Sequence, residues 1–200
     1  MIKIVNSLFQ ENTYLIDAGE NLCYIIDPGS DFKNISRKID ENFNGVKAIL
    51  LTHGHFDHFM SCSNLVDKYN CPVYLSNVDK SLATGEDSII GSPIDNKNYL
   101  LLVDTIDAWE IGKLDKNIYV YETPGHSRGS VCFHFKKENI IFTGDTMFKR
   151  GMGRVDLFGG NYHQIIESLK FLCSLKEDLT VYPGHEGQTT IKEEKLYNCF

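Results

Sequence analysis

The chain has 200 residues, with 20 Lys and Arg against 27 Asp and Glu, for a net charge of −7 with neutral histidines. Its 42% hydrophobic, 24% charged and 12% aromatic residues are ordinary for a globular protein, and the length suits one domain over residues 1–200. No dense block of Lys or Arg exists and no apolar run reaches 18 residues, so neither a nucleic-acid partner nor a membrane span is expected.

The N-terminus, Met1-Ile2-Lys3-Ile4-Val5-Asn6, lacks the hydrophobic segment and cleavage site of a secretory signal. Six cysteines (Cys23, Cys62, Cys71, Cys132, Cys173, Cys199) are scattered without a CxxC pair, which reads as reduced thiols in a cytoplasmic protein. Three strand-like runs open the chain, Ile2–Val5, Thr13–Asp17 and Leu22–Ile26, separated by Gln10-Glu11-Asn12 and Gly19-Glu20-Asn21. Asp27-Pro28-Gly29 stops the third. Phe32, Ile35, Ile39 and Phe43 recur at helical spacing and predict a helix from about Asp31 to Phe43. Val46–Leu51, bounded by Gly45, reads as a buried strand, followed by a helix over Phe59–Tyr69 and a strand over Pro72–Leu75. Residues 84–98 are rich in Gly, Ser, Asp and Asn and read as a loop, with no sign of whether it covers a pocket. Strands are expected again at Tyr99–Val103, Ile118–Glu122, Val131–Phe135 and Ile140–Thr143. A helix over Tyr162–Leu175 and a strand over Thr180–Tyr182 close the pattern. This order predicts an α/β protein in which two mixed sheets pack together, helices lie outside, and loops gather at one edge.

Thr52-His53-Gly54-His55-Phe56-Asp57-His58 follows the buried strand directly. Clustering four metal-competent side chains in six residues has no packing rationale, because buried polar groups without partners are costly. In extended chain His53 and His55 point alike and can hold one metal, while Asp57 and His58, carried into a helix start, can hold a second. Three further strand-like runs end the same way: Pro124-Gly125-His126, Thr143-Gly144-Asp145 and Pro183-Gly184-His185 each place a glycine before a polar residue. The seven donors, His53, His55, Asp57, His58, His126, Asp145 and His185, exceed the four of a closed zinc site. They suit two divalent ions with one shared carboxylate. Imidazole and carboxylate without thiolate fit zinc first, with iron or manganese as alternatives.

His53-x-His55-x-Asp57-His58 with His126, Asp145 and His185 resembles the metal signature of the metallo-β-lactamase superfamily across essentially the whole chain. The resemblance implies a four-layer αβ/βα sandwich with a dinuclear site at one edge. By position, His53, His55 and His126 would bind the first metal and Asp57, His58 and His185 the second, with Asp145 bridging. Asp57 and Asp145 are thus the carboxylates of the catalytic centre, and Asp27 would support the metal loop from behind. Gly144-Asp145-Thr146-Met147-Phe148, Gly153-Arg154-Val155-Asp156 and the ending from Pro183 resemble the small glyoxalase II-like hydrolases, which implies thioester cleavage. Arg154 falls where that family places a basic residue on the glutathione moiety, with Lys149 and Arg150 nearby as candidate substrate contacts. Asp156 and Gly187 stand in place of the family's substrate-contacting tyrosines. The chain also stops at Phe200, before the extension that completes the glutathione pocket, so the carrier thiol is left open.

The expected chemistry is attack on a small-molecule acyl compound by a bridging hydroxide, since bound zinc lowers the pKa of water to ~7. A thiolate leaves without a proton, so no dedicated general acid is required. The main rival is a persulfide dioxygenase using one iron on His53, His126 and Asp145. A non-catalytic metal-binding protein and a nuclease rank lower. His134 reads as a core or sheet-face residue, His163 as surface and Trp109 as core. Oligomeric state is not legible.

Overall fold

A computed structural model describes residues 1–86 and 99–197. β1 (Ile2–Val5), β2 (Asn12–Asp17) and β3 (Leu22–Ile26) form an antiparallel meander. Antiparallel neighbours need only a turn, whereas parallel ones need a crossover, and helices supply it here. α1 (Phe32–Asn42) leads to β4 (Gly45–Leu50), and α2 (Cys62–Tyr69) leads to β5 (Val73–Leu75), both parallel to β3. After the short α3 (Lys80–Thr84), β6 (Thr105–Asp107) pairs with β5 and completes a six-stranded sheet in chain order.

Past α4 (Ile111–Leu114), β7 (Ile118–Glu122), β8 (Val131–Phe135) and β9 (Ile140–Gly144) form a second meander. A small hairpin, β10 (Met147–Phe148) and β11 (Gly151–Met152), precedes α5 (Tyr162–Cys173). That helix carries the chain to β12 (Thr180–Pro183), which lies parallel to β9, and β13 (Thr189–Thr190) and α6 (Ile191–Tyr197) follow. The second sheet has the order β13-β12-β9-β8-β7.

The period-two alternation of the strands sorts their side chains into three apolar layers. Leu15, Cys23, Ile25 and Ile49 pack with Ile35 and Ile39 of α1 and Cys62 and Leu65 of α2. Their neighbours Tyr14, Ile16, Tyr24, Ile26, Ala48 and Leu50 face the second sheet and meet Ile118, Val120, Phe133, Phe135 and Phe142. On the far side, Cys132, Ile141 and Val181 pack with Leu169 and Leu172 of α5 and Ile191 of α6. The layers therefore run helix, sheet, sheet, helix: the expected αβ/βα sandwich. Tyr14 packs at 5.0 Å and Phe135 at 5.6 Å from Phe142, and such pairs add roughly 0.5–1.5 kcal/mol beyond their buried area.

Some elements depart from the expected ones. Tyr99–Val103 is not a strand: Tyr99 stacks on Phe56 at 5.2 Å, and Leu101 is buried and donates its N–H to the Ala83 carbonyl. Its apolar residues serve packing, and the pairing edge of β5 goes to Thr105–Asp107 instead. The helix expected from Phe59 starts at Cys62, because Phe56–His58 form a separate 3-10 turn. Trp109 is not core: it is 49% exposed on a 3-10 turn whose buried member is Ala108. His134 lies on a sheet face and hydrogen-bonds the Tyr121 hydroxyl, and His163 is exposed, both as expected. Of the loop expected over 84–98, residues 87–98 lie outside the described residues. No helix among the described residues is long and apolar enough to cross a membrane.

Candidate metal centre

β3, β4, β7, β9 and β12 end at one edge of the sandwich, and the connections leaving them carry the polar residues. Hydrogen bonds hold these ends together: Val131 N–H to Thr52 O at 2.9 Å and Asn12 N–H to Gly184 O at 2.7 Å across the seam between the sheets, and Gly184 N–H to Gly144 O at 2.8 Å within the second sheet. Gly184 is required by space, since a Cβ there would overlap Asp145 Oδ1 and lie 2.6 Å from His58 Cε1.

All seven predicted donors converge. The ligand atoms of His53, His55 and His126 lie within 4.8 Å of one another, as do those of Asp57, His58 and His185, and those of His53, His58 and Asp145. Asp145 sits between the two triads. Its Oδ1 is 3.4 Å from His58 Nε2, and its Oδ2 is 3.6 Å from His126 Nε2 and 3.5 Å from His185 Nε2. Asp57 Oδ2 lies 3.5 Å from His185 Nε2 and 3.7 Å from His58 Nε2. His53 and His58 are fully buried, while His55, Asp57, Asp145 and His185 keep a partly open side.

This donor set fits divalent cations on a separate test. His53 Nε2, His58 Nε2 and Asp145 Oδ1 are buried without a hydrogen-bond partner. Leaving such atoms unsatisfied costs about 1–3 kcal/mol each, so three of them facing one point form a cation cradle. Their other faces are fixed. His126 Nδ1 lies 2.7 Å from the Arg154 carbonyl and His58 Nδ1 lies 3.0 Å from Asp27 Oδ2; both partners only accept, which puts the proton on Nδ1. Thr52 commits its hydroxyl proton to Asp27 Oδ2 at 2.7 Å, so it accepts from His53 Nδ1 at 3.0 Å. All three imidazoles thereby turn an Nε2 lone pair inward.

The electrostatics follow from burial and neighbours. Burial, with the surrounding imidazoles, holds His53 well below its ordinary range and lowers His55 to about 3. Burial opposes ionisation of Asp57 and Asp145, yet His58 overrides it and both are held low. His58 and His185 are raised against burial, His58 first by Asp145 and His185 first by Asp57. With these two histidines and two aspartates paired so closely, any cation entering here competes with protons.

Asp27 sits beside His58 and Thr52, with a left-handed φ of +48° that the Thr13 hydroxyl supports by donating to its carbonyl at 2.7 Å. Two of the three basic candidates pair with carboxylates. The Arg154 guanidinium grips Asp156 through two 2.7 Å bonds, Arg150 donates to Glu193 and lies over the Tyr197 ring, and Lys149 is exposed. A cleft of about 400 Å³ opens beside His185, lined by Val5, Gln10, Asn12 and Glu186.

Residues that sequence reasoning did not single out include Thr52, which orients His53, and the Arg154 carbonyl, which orients His126. Glu11, fully buried and raised by that burial, receives Asn6 Nδ2 at 2.7 Å beneath the site. Thr52 was open to notice as the residue preceding the histidine run. A backbone carbonyl carries no sequence signal.

The family model described as metallo-beta-lactamase superfamily matches residues 6–185. A hydroxyacylglutathione hydrolase of Haemophilus influenzae is 32% identical, with 96% of this chain and 93% of the relative covered. A protein named as a probable metallo-hydrolase of Bacillus subtilis is also 32% identical, with 96% and 92% covered. Among solved structures, TTHA1623 in a di-iron-bound form superposes with a TM-score of 0.83 at 32% identity, covering 99% and 98% of the two chains. With the two triads, the αβ/βα layering and these likenesses together, the chain belongs to the metallo-beta-lactamase superfamily.

Proposed function

We propose that this metallo-hydrolase is a dinuclear enzyme that cleaves the thioester of a small acyl thiol in the cytoplasm. The observation that carries the reading is the pair of His/Asp triads sharing Asp145, with three buried donor atoms otherwise unsatisfied. His53, His55 and His126 would hold one divalent ion and Asp57, His58 and His185 the other, with Asp145 between them. Zinc is the first choice for this donor set, and the di-iron form of TTHA1623 supports iron as the alternative. When bound, the ions supply an activated water at neutral pH and a Lewis acid for the acyl oxygen.

The chain's own residues do the rest. Thr52, Asp27 and the Arg154 carbonyl hold His53, His58 and His126 in the tautomer that faces inward. Asp57 and Asp145, kept ionised against burial chiefly by His58, balance the cationic charge. Phe148 lies beside His185 with ring centroids 6.0 Å apart, and Phe56, between His55 and Asp57 in sequence, packs between Phe9 and Tyr99. The leaving thiolate needs no proton, which suits a site whose ionisable groups are occupied in ligation. The hydroxyacylglutathione hydrolase among the relatives supports a thioester over an amide or ester. The Arg154–Asp156 pair leaves glutathione as only one of several candidate carriers.

The test is a panel of acyl thioesters, lactoyl-glutathione included, with metal-reconstituted protein and its Asp145→Ala variant. Thioester turnover is expected in the wild type and a loss of at least ~100-fold in the variant, with the circular dichroism spectrum unchanged. Oxygen consumption on a glutathione persulfide with one iron per chain would overturn the proposal in favour of a dioxygenase.

A further inference from the structure

The first triad draws its ligands from two loops of different sheets, His53 and His55 after β4 and His126 after β7. One buried side chain touches both loops and belongs to neither. Asp79, 1% exposed, lies in the 3-10 turn that leads into α3. Its Oδ2 accepts the Gly54 N–H at 2.9 Å and the Ser127 hydroxyl at 2.6 Å, and its Oδ1 accepts the Gly129 N–H at 2.6 Å. Gly54 is the residue between His53 and His55, and Ser127 follows His126. Both glycines are open to this approach only because they lack side chains: a Cβ on Gly54 would lie 2.7 Å from the Asp79 carbonyl, and one on Gly129 would lie 2.7 Å from Asp79 N.

We propose that Asp79 is a positioning residue that clamps the two histidine loops and so sets the geometry of the first metal triad; this rests on the dinuclear reading above. A single carboxylate receiving three donors from two loops fixes their separation within the range of hydrogen-bond lengths. The seam bond from Val131 N–H to Thr52 O ties the same two connections at their bases, and Asp79 ties them at their tips. Nothing comparable joins Asp79 to Asp57, His58 or His185 in its hydrogen bonds. Its effect therefore falls on one triad.

Asp79→Asn tests this with little change in shape. The amide replaces one acceptor oxygen with a donor, which faces a backbone N–H that has no alternative. Ser127→Ala is the milder companion, removing a single donor while leaving both backbone contacts. The measurement is stepwise Co²⁺ binding to metal-free protein, followed by its d–d absorption spectrum, which reports coordination geometry independently of turnover. Outer contacts of ligating loops change metal affinity by roughly 10–100-fold. In Asp79→Asn one of the two binding steps should weaken within that range with an altered spectrum, and the other should stay within about threefold; Ser127→Ala should shift the same step less. Wild-type steps and spectrum in both variants would overturn the role of Asp79, as would equal weakening of both steps. A wild-type protein that binds no Co²⁺ would instead overturn the metal reading, and Asp79's role with it.

Discussion

Replacing Asp27 with Asn changes one atom in a buried contact and should be felt at the metal. Asp27 accepts three hydrogen bonds: Thr52 N–H at 2.8 Å on Oδ1, and the Thr52 hydroxyl at 2.7 Å and His58 Nδ1 at 3.0 Å on Oδ2. The Thr52 N–H can only donate, so the amide oxygen of Asn must stay at the Oδ1 position. Its NH₂ then faces His58 Nδ1, which must give up its proton. That proton moves to Nε2, the atom 3.4 Å from Asp145 and 3.7 Å from Asp57, and blocks the lone pair a metal would use. Loss of a hydrogen bond to a charged acceptor is worth about 1.5–3 kcal/mol, which matches the roughly 10–100-fold metal affinity expected of such contacts. The ion held by Asp57, His58 and His185 should weaken by that factor, and the ion held by His53, His55 and His126 should weaken too, because the Thr52 hydroxyl loses its acceptor to the same NH₂ and turns its proton toward His53 Nδ1. Competition titration with a chromophoric chelator measures it, and the melting point of the metal-free protein monitors the fold. Asp27→Asn protein with both affinities within twofold of wild type would refute the tautomer argument.

Gly184→Ala should remove activity more completely than its size suggests, because the new methyl overlaps Asp145 Oδ1; metal analysis should show fewer bound ions per chain while the melting point falls by only a few degrees. The metal-free protein should be most stable near pH 6.5, read from its melting point between pH 4 and 9. Below 6.5 the unfolded chain takes up protons that buried His53 and His55 refuse, so stability falls with pH, and Asp57 and Asp145, held low by His58 against burial, extend the loss through the range near 3.8. Above 6.5 the contributions of His58 and His185, raised against burial by Asp145 and Asp57, are lost as pH rises through their raised values. Saturating zinc should abolish the alkaline decline, since coordination replaces those protons. Ile39→Ala, at a fully buried site between α1 and the first sheet, should cost about 2–5 kcal/mol, or roughly 5–15 °C in melting point, without changing metal affinity.

The metal donors were legible because each is a polar side chain placed where an apolar strand ends, and strand ends on one edge must come together. His126, Asp145 and His185 are far apart in sequence, yet the repeated glycine-then-ligand context marks them as a set. The strands themselves were legible as short apolar runs closed by turn residues, as in Leu22–Ile26 before Asp27-Pro28-Gly29. Tyr99–Val103 misled because apolar content alone does not say whether a segment pairs or packs; Tyr99 and Leu101 satisfy themselves against Phe56 and Ala83. Trp109 misled similarly, since hydrophobicity predicts burial only when an element turns the residue inward. The short α3, α4 and α6 and the β10–β11 hairpin are too brief to leave a periodic signal. Asp79 was invisible for another reason: its partners are backbone N–H groups and one serine, and their convergence exists only in three dimensions.

Titration of metal-free protein with zinc, following bound metal and thioester hydrolysis in the same samples, tests the central claim most directly. Two ions per chain, with hydrolysis rising as they bind and absent in Asp145→Ala, are the predicted result. Saturation at a single ion, or full occupancy by two ions with no thioester cleaved, would contradict it.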